Sequence, residues 1–454
     1  MVGDLLKRDF GRFPTTPGIL LAISIGLHAG ALIEGLLGRR VDGAALFVTG
    51  QFLISLALLR LYDGRWAIQD IRLFFALFLF LYGAALPLTV LFGVVQPVTG
   101  IAGAGYMYGT AFVAFNLVQW WYKQPFIDVP REVFRRMAPS PLNIIVLVIA
   151  LLAVIGYAFS RGVSIGLKID RGQTQFLGTQ LWVVMIFIVN GLTMFMFAGW
   201  SSLSRLEKAI LIASLAMFIV FQLAMGNRRD FLAMFIFLTG VVMTKRKSVI
   251  RLSTVIAGFV AFAGFMAIGI IRQVYEDAAL LARYNPLELL LTQNEFVTPI
   301  YTLMHYVNNA RPLRWGVTYL TAPTQFIPRA FWPDKPESLS LQFMRDAFGS
   351  TSLIGFAYTP VTEAFLNFSW VGPFIVFAIL SILMVKLVRN ADRHAGLYFI
   401  LFSLVVDFHR GEFSGTFYAL CFVGGAYAFM RFVSRLRWAP PRTIGVRPAP
   451  VLRA

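Results

Sequence analysis

The chain has few charged residues and almost no cysteine. Only 14% of its 454 residues are Asp, Glu, Lys or Arg, whereas soluble proteins average about 25%. This scarcity excludes an ordinary soluble protein, so the length does not predict a number of soluble domains. The one cysteine, Cys421, lies in an apolar run, which excludes a disulfide framework and a cysteine-based metal site.

Residues that would hold a divalent metal are also scarce. No Asp-x-Asp pair occurs, and the four histidines are scattered along the chain, at His28, His305, His394 and His409. We therefore expect no bound metal and no cofactor, and any negative charge on a substrate would have to be met by arginines.

Long apolar runs are abundant. Runs of about 20 residues, the length of helix that crosses a bilayer, recur along the sequence. They predict an all-α integral membrane protein of about twelve transmembrane helices, and not a β-barrel, whose strands alternate over about 10 residues. The first run is too long for a convincing cleavable signal peptide. The predicted spans cover residues 17–37, 44–61, 73–94, 102–122, 141–160, 178–199, 207–225, 230–244, 253–271, 358–385, 396–407 and 413–432.

The basic residues are divided unequally between the two sides that these spans define. The side with both termini holds 25 of the 40 Lys and Arg residues. The positive-inside rule therefore predicts cytoplasmic termini. In a soluble chain the net charge of +18 would suggest nucleic-acid binding. Here that charge mainly sets the topology, and we expect no nucleic-acid partner.

The same map divides the chain into four parts. Residues 1–271 carry the first nine spans, 272–357 form one large outer loop, 358–432 carry the last three spans, and 433–454 are a basic tail predicted to be disordered. Within the loop, short amphipathic helices are predicted over 286–307, where Pro299 should break the helix, and over 338–348. No two-fold repeat is visible, which disfavours a transporter built from repeats.

Charged residues at the outer ends of spans are the first candidates for function, because charge at membrane depth needs a partner or a purpose. Arg228 and Arg229 lie in the turn GNRRD at 226–230, beside a helix N-terminus that favours anions. Two adjacent guanidinium groups can hold phosphate oxygens. The alternative is a helix start capped by Asn227 or Asp230, with arginines that extend to water.

Two more outer positions carry similar charges. The turn HRGE at 409–412 offers Arg410, Glu412 and His409 between apolar helices. The alternative interpretation of this turn is a structural one, a capping turn in which Arg410 pairs with Glu412 or Asp407. Arg272 directly follows an apolar run, where simple extension of the side chain to the membrane surface explains it equally well.

The large outer loop contains the most distinctive string, IPRAFWPDKP at 327–336. Its three prolines restrict the backbone, so it favours a rigid lid or wall over a pocket. Arg329, Asp334 and Lys335 supply charge, and Phe331 and Trp332 supply faces that can stack on a sugar.

A carboxylate follows at the start of the tenth span. Glu363 lies in TPVTEAFLNF at 359–368. It either complements the helix dipole at that N-terminus or, near arginines, orients or deprotonates a hydroxyl group.

The strings GNRRDFL, IPRAFWPDKP and TPVTEAFLNFSWVGP together resemble the Wzy-type O-antigen and exopolysaccharide repeat-unit polymerases. The resemblance covers about residues 226–412. It implies a bundle like that of the GT-C membrane glycosyltransferases, in the bacterial inner membrane with its active site on the periplasmic face. It also implies transfer of a growing glycan from undecaprenyl diphosphate to a new lipid-linked repeat unit, and possible association with a chain-length regulator.

The resemblance assigns roles to the charged residues. Arginines would stabilise the leaving pyrophosphate, and a carboxylate or histidine would accept the proton of the attacking hydroxyl. Direct displacement would invert the anomeric centre. The pyrophosphate-binding candidates are Arg228, Arg229, Arg272, Arg329, Lys335 and Arg410. The candidates for the base are Glu363 first, then Glu412, Asp334, Asp230 and His409.

Two alternatives remain open. An O-antigen ligase would use the same donor but transfer the glycan to another lipid acceptor. A flippase for lipid-linked oligosaccharides would move the substrate without chemistry, and it would place its charges near the bilayer midplane.

Overall fold

The structure, a computed structural model, describes residues 15–67, 69–130, 133–134, 137–160, 179–224, 232–246, 291, 294, 296–309, 311–327, 331–349 and 356–436. In these ranges the chain is helical and contains no strand. The helices are α1 (Thr15–Leu36), α2 (Arg40–Asp63), α3 (Ile71–Leu91), α4 (Ile101–Tyr122), α5 (Pro141–Ser160), α6 (Thr179–Ala198), α7 (Arg205–Ala224), α8 (Leu232–Arg246), α9 (Thr298–Asn308), α10 (Val317–Leu320), α11 (Leu339–Phe348), α12 (Pro360–Phe368), α13 (Gly372–Arg389), α14 (Ala395–Ser403), α15 (Val405–His409) and α16 (Phe413–Arg435).

Eight helical segments of the described residues are long and apolar enough to cross a membrane. They are α1 to α6, the α12–α13 pair and α16, and they agree with the predicted class of α-helical membrane protein. The seventh predicted span is present as the helix α7, which is not one of those eight segments. The eighth is the short helix α8, and the ninth, 253–271, lies outside the described residues.

The tenth predicted span is not one continuous helix. After α12 the backbone turns through Ser369, which has a φ of +56°, and a 3₁₀ turn at Ser369–Val371 leads into α13. Gly372 permits this turn, because a Cβ there would lie 2.0 Å from the Ala364 carbonyl oxygen. Pro373 suits the first turn of α13, because proline has no N–H and the N–H groups of a first turn have no intrahelical acceptor. As a result α12 forms a separate short element.

The eleventh predicted span, 396–407, is also interrupted. Helix α14 ends at Ser403, and α15 begins at Val405 and has only 5 residues. The short helix predicted over 338–348 is present as α11. Pro299 lies in the first turn of α9, which continues to Asn308, and most of the predicted 286–307 helix before Pro299 lies outside the described residues.

Helix α4 lies at the centre of the bundle. It packs against α2, α3 and α13, while α16 packs along α6. Large aromatic side chains such as Phe112, Phe115 and Phe377 are fully buried at this centre. Such close packing gives the bundle a rigid frame.

At one end of the bundle, a buried arginine connects two helices by hydrogen bonds. The Arg72 guanidinium, at the start of α3, donates to Asp70 at 2.7 Å and to Asp63, at the end of α2, at 3.2 Å. The Tyr398 hydroxyl, near the start of α14, donates to the Gln69 carbonyl at 2.6 Å. At the opposite end, where α4 and α16 begin, the chain carries α9 to α12.

Candidate functional site

A cavity of about 460 Å³ opens at the end of the bundle opposite Arg72. It lies among α10, α11, α12 and the first turn of α16. Three glutamates, Glu337, Glu363 and Glu412, line it together with Arg314 and Trp315. Its volume is within the range of small-molecule sites, about 300–1,000 Å³.

The N-terminus of α12 positions Glu363. Thr359 caps the helix, its hydroxyl accepting from the Thr362 N–H at 3.0 Å, and Pro360 is the first helical residue. Glu363 therefore falls in the first turn, where only 1% of it is exposed.

Both oxygens of Glu363 are held by neighbouring elements. Oε1 accepts from the Thr318 hydroxyl of α10 at 2.7 Å, and Oε2 accepts from the Phe413 N–H, the first of α16, at 2.6 Å. The carboxylate thus connects α10, α12 and α16 in one orientation. A carboxylate has about four lone-pair positions, so this one can still accept a hydrogen bond from a bound molecule.

Glu412 is the N-cap residue of α16 and reaches across to another helix. Its Oε2 accepts from the N–H of Leu339, the first residue of α11. A helix N-terminus is a favourable place for an anion. Burial raises the pKa of Glu412, while the bonds from Leu339 and Ser414 and the nearby Arg314 charge oppose that rise. Glu412 is half-buried, and so is more accessible than Glu363.

Asn367, one turn after Glu363, holds the cavity wall together. Its Nδ2 donates to the Thr318 hydroxyl at 2.7 Å and to the Glu363 carbonyl at 2.8 Å. Its Oδ1 accepts from the Gly316 N–H at 2.8 Å. The fully buried Asn367 therefore fixes both the hydroxyl that orients Glu363 and the turn that precedes α10.

A second cavity, of about 480 Å³, adjoins the first and is rich in arginine. Arg314 and Gln342 belong to both cavities, and the Arg314 Nη2 donates to the Gln342 Oε1 at 2.7 Å. Arg311 pairs with Asp346 at 3.6 Å. Within the described part of the chain Arg314 has no carboxylate at ion-pair distance, so its charge is available to an anion. The other arginine of this cavity, Arg345, pairs with Glu337.

The structure brings together only some of the residues predicted from sequence. Glu363 and Glu412 line one cavity. Asp334 is exposed and lines neither cavity. Lys335 is 3% exposed, and its Nζ donates to the Ile327 carbonyl at 3.0 Å, so it fixes the loop backbone.

The candidate residues of the turn at 409–412 do not all lie at the cavity. His409, 1% exposed, packs among Phe75, Tyr82 and Phe408, and its Nδ1 donates to the Val405 carbonyl at 2.8 Å. Neither His409 nor its neighbour Arg410 lines either cavity. The other predicted residues lie outside the described part of the chain: Arg228, Arg229, Asp230, Arg272 and Arg329.

Sequence reasoning missed the string RPLRWG at 311–316, which supplies Arg311, Arg314 and Trp315. Its signal was visible as two arginines around a proline, followed by a turn glycine, in the large outer loop. The string lies away from the span ends and outside the proline-rich string, where charged residues are the first candidates for function. Gln342, Thr318 and Asn367 carry no sequence signal of their own, since their roles depend on tertiary contacts.

In the ranges that the structure describes, no three His, Cys, Asp or Glu side chains come together as a metal site. No protein family, curated protein or solved structure matches the chain.

Proposed function

We propose that the protein is a membrane glycosyltransferase that polymerises lipid-linked oligosaccharide repeat units. One observation carries this proposal. Glu363, Glu412 and Arg314 line one cavity at one end of a membrane-embedded bundle, beside a second cavity rich in arginine. The third glutamate of the first cavity, Glu337, pairs with Arg345, whereas Arg314 has no carboxylate at ion-pair distance among the described residues. The resemblance of the second half of the chain to repeat-unit polymerases agrees with this chemistry.

The reaction needs a base and a site for the leaving diphosphate. The acceptor sugar hydroxyl attacks the anomeric carbon of the donor, and the bond from that carbon to the diphosphate oxygen breaks. The electron pair leaves with the lipid diphosphate, and a carboxylate takes the hydroxyl proton. Attack opposite the leaving group inverts the anomeric centre.

We assign the base to Glu412 and a positioning role to Glu363. Glu412 is half-buried and faces the cavity, so a substrate hydroxyl can reach it. Glu363 is 1% exposed and joins three helices, so its carboxylate mainly holds the Phe413 N–H and the start of α16 in place. This reverses the order that sequence alone suggested.

We assign the diphosphate to Arg314, assisted by Arg311 and Arg345. Preorganised guanidinium groups stabilise charge that develops in the transition state, and each such contact contributes about 10²–10³-fold to the rate. Arg314 belongs to both cavities, so it can contact the diphosphate while the sugar lies near Glu412.

The location of the cavity suits a lipid-linked substrate. The isoprenoid chains of donor and acceptor stay in the bilayer, while their head groups meet at the end of the bundle. In this proposal that end is the periplasmic face of the bacterial inner membrane, and both termini are cytoplasmic. Undecaprenyl-diphosphate oligosaccharides are then the donor and the acceptor, and a chain-length regulator is a further candidate partner.

Complementation of cells that lack the gene tests this function. We expect the wild-type protein to restore a ladder of long glycan chains, and Arg314→Ala and Glu412→Gln to leave only single repeat units at equal protein level. Arg39→Ala is the matched control, because Arg39 is an exposed arginine outside both cavities, and it should give a normal ladder.

The same experiment separates the alternatives. If the protein is a ligase, the two cavity variants should still allow lipid-linked polymer to form. They should fail to transfer single units to the final lipid acceptor. A flippase would leave unpolymerised units on the cytoplasmic side. Either result, or a normal ladder in both cavity variants, would overturn the proposal.

A further inference from the structure

The turn at 314–317 has an unusual backbone for its sequence. Trp315 has a φ of +49° and Gly316 a φ of +84°, and the Val317 N–H donates to the Arg314 carbonyl at 2.9 Å. Positive φ at both central residues is the pattern of a type I′ turn, where Asn or Asp followed by Gly is usual. A bulky aromatic residue at the first of these positions is strained.

Contacts with α12 impose this conformation. The Arg314 N–H donates to the Leu366 carbonyl and the Trp315 N–H donates to the Asn367 carbonyl, both at 3.1 Å. The Gly316 N–H donates to the Asn367 side chain at 2.8 Å. Three successive N–H groups are therefore bound to the end of one helix, which holds the turn against its strain.

The strain is not offset by burial of the indole. Trp315 is 73% exposed, yet it lines the cavity that contains Glu363 and Glu412. Strained positions that the surroundings hold in place are concentrated at ligand sites. Glycine or asparagine would adopt the same positive φ with less strain. The indole itself must therefore account for the tryptophan at this position.

We propose that Trp315 is a carbohydrate-stacking platform at the mouth of the cavity, which binds the sugar that enters next to Glu412. The proposal rests on the function proposed above. A pyranose ring has an apolar face of C–H groups and an edge of hydroxyls. The indole offers a flat apolar surface, and Arg314, Thr318 and Gln342 line the same cavity with hydrogen-bonding groups for the hydroxyls.

The competing role for an exposed tryptophan is an anchor at the membrane surface. The two roles differ in the substitutions of Trp315 that they tolerate. An anchor needs an apolar side chain of any shape, so leucine would serve. A stacking platform needs a flat ring, so phenylalanine retains part of the effect and leucine none.

The test uses purified full-length protein and two probes from cells that lack the gene: the accumulated lipid-linked repeat unit, and the same glycan released from its lipid. For Trp315→Gly and Trp315→Leu we expect the KM for the lipid-linked unit and the calorimetric Kd for the lipid-free glycan to rise about tenfold, with kcat nearly unchanged. Trp315→Phe should lie between these variants and the wild type. Trp121→Ala, an equally exposed tryptophan at the other end of the bundle, is the control and should match the wild type.

Stability gives an independent readout. Trp315→Gly relieves the strained φ, so its melting temperature should stay equal or rise by about 2 °C, while glycan binding weakens. Wild-type affinity in Trp315→Leu would overturn the proposal in favour of an anchor, as would unchanged glycan binding in Trp315→Gly. Glycan binding needs no turnover, so a wild-type protein that binds the glycan through Trp315 but makes no polymer would refute only the proposed function.

Discussion

Glu412 joins the local fold and the proposed chemistry at the scale of a single residue. As the N-cap of α16 its carboxylate crosses to the first N–H of α11, so one side chain holds two helix starts and faces the cavity. Burial raises its pKa, which makes it a better proton acceptor than an exposed glutamate.

The pH dependence of the proposed glycan polymerisation by the wild-type protein tests this role. The carboxylate must be deprotonated to act as a base, and a raised pKa moves the loss of activity to higher pH. We therefore expect kcat to fall with decreasing pH around a midpoint above the ordinary glutamate value of about 4.3. Glu412→Gln should lower kcat by about 10²–10⁴-fold and abolish this acidic limb. An unchanged limb in the variant would assign the base elsewhere.

Arg314 provides the second test at residue scale. Lysine keeps the positive charge but loses the planar fork that binds two oxygens of a phosphate. We expect Arg314→Ala to lower kcat by about 10²–10³-fold and Arg314→Lys to recover only part of this loss, measured by initial rates of polymer formation. Full activity in the lysine variant would show that forked contact is not needed.

At the scale of elements, α12 organises the site. Its separation from α13 at Ser369 places Asn367 where it can reach both α10 and the turn at 314–316. The glutamate, its hydroxyl donor and the cavity wall are therefore positioned by one short helix.

Asn367→Ala tests that arrangement. The change removes three hydrogen bonds and leaves the half-buried Gly316 N–H without its side-chain acceptor, which should cost about 2–3 kcal/mol. We expect a lower melting temperature and a lower kcat even where the protein is folded. Asn309→Ala is the matched control, since that exposed amide donates only to the His305 carbonyl and should change stability by no more than about 0.5 kcal/mol. Equal behaviour of the two variants would contradict the role of Asn367.

The sequence predicts the elements better than the site. Hydropathy locates most helices, and the amphipathic pattern of 338–348 predicts α11. The break after α12 is missed, because 358–385 is continuously apolar and the interruption depends on the close approach of Gly372 to Ala364. Charges at span ends indicate Glu363 and Glu412, but Arg314 reaches the cavity only through the contacts of its turn with α12.

At the scale of the whole molecule, the two ends of the bundle have different tasks. The Arg72 network joins the ends of α2, α3 and α14 and is fully buried, so it contributes to stability. The cavities lie at the opposite end, so the two functions should be separable by mutation.

Arg72→Ala tests this separation. Removal of one partner leaves Asp63 and Asp70 as uncompensated buried charges, which should cost about 3–5 kcal/mol. We expect a large fall in melting temperature, with kcat per folded molecule unchanged. Arg65→Ala breaks an exposed ion pair with Asp128 at the same end and should cost at most about 1 kcal/mol. A selective loss of kcat in Arg72→Ala would show that the ends are coupled.

The most direct test of the central claim is reconstitution. Purified protein in lipid vesicles, supplied only with the lipid-linked repeat unit, should produce a ladder of glycan chains and release polyprenyl diphosphate in step with each new linkage. Glu412→Gln and Arg314→Ala should produce neither. Release of no polyprenyl diphosphate by the wild-type protein, or full polymer formation by both variants, would contradict glycosyl transfer in this cavity.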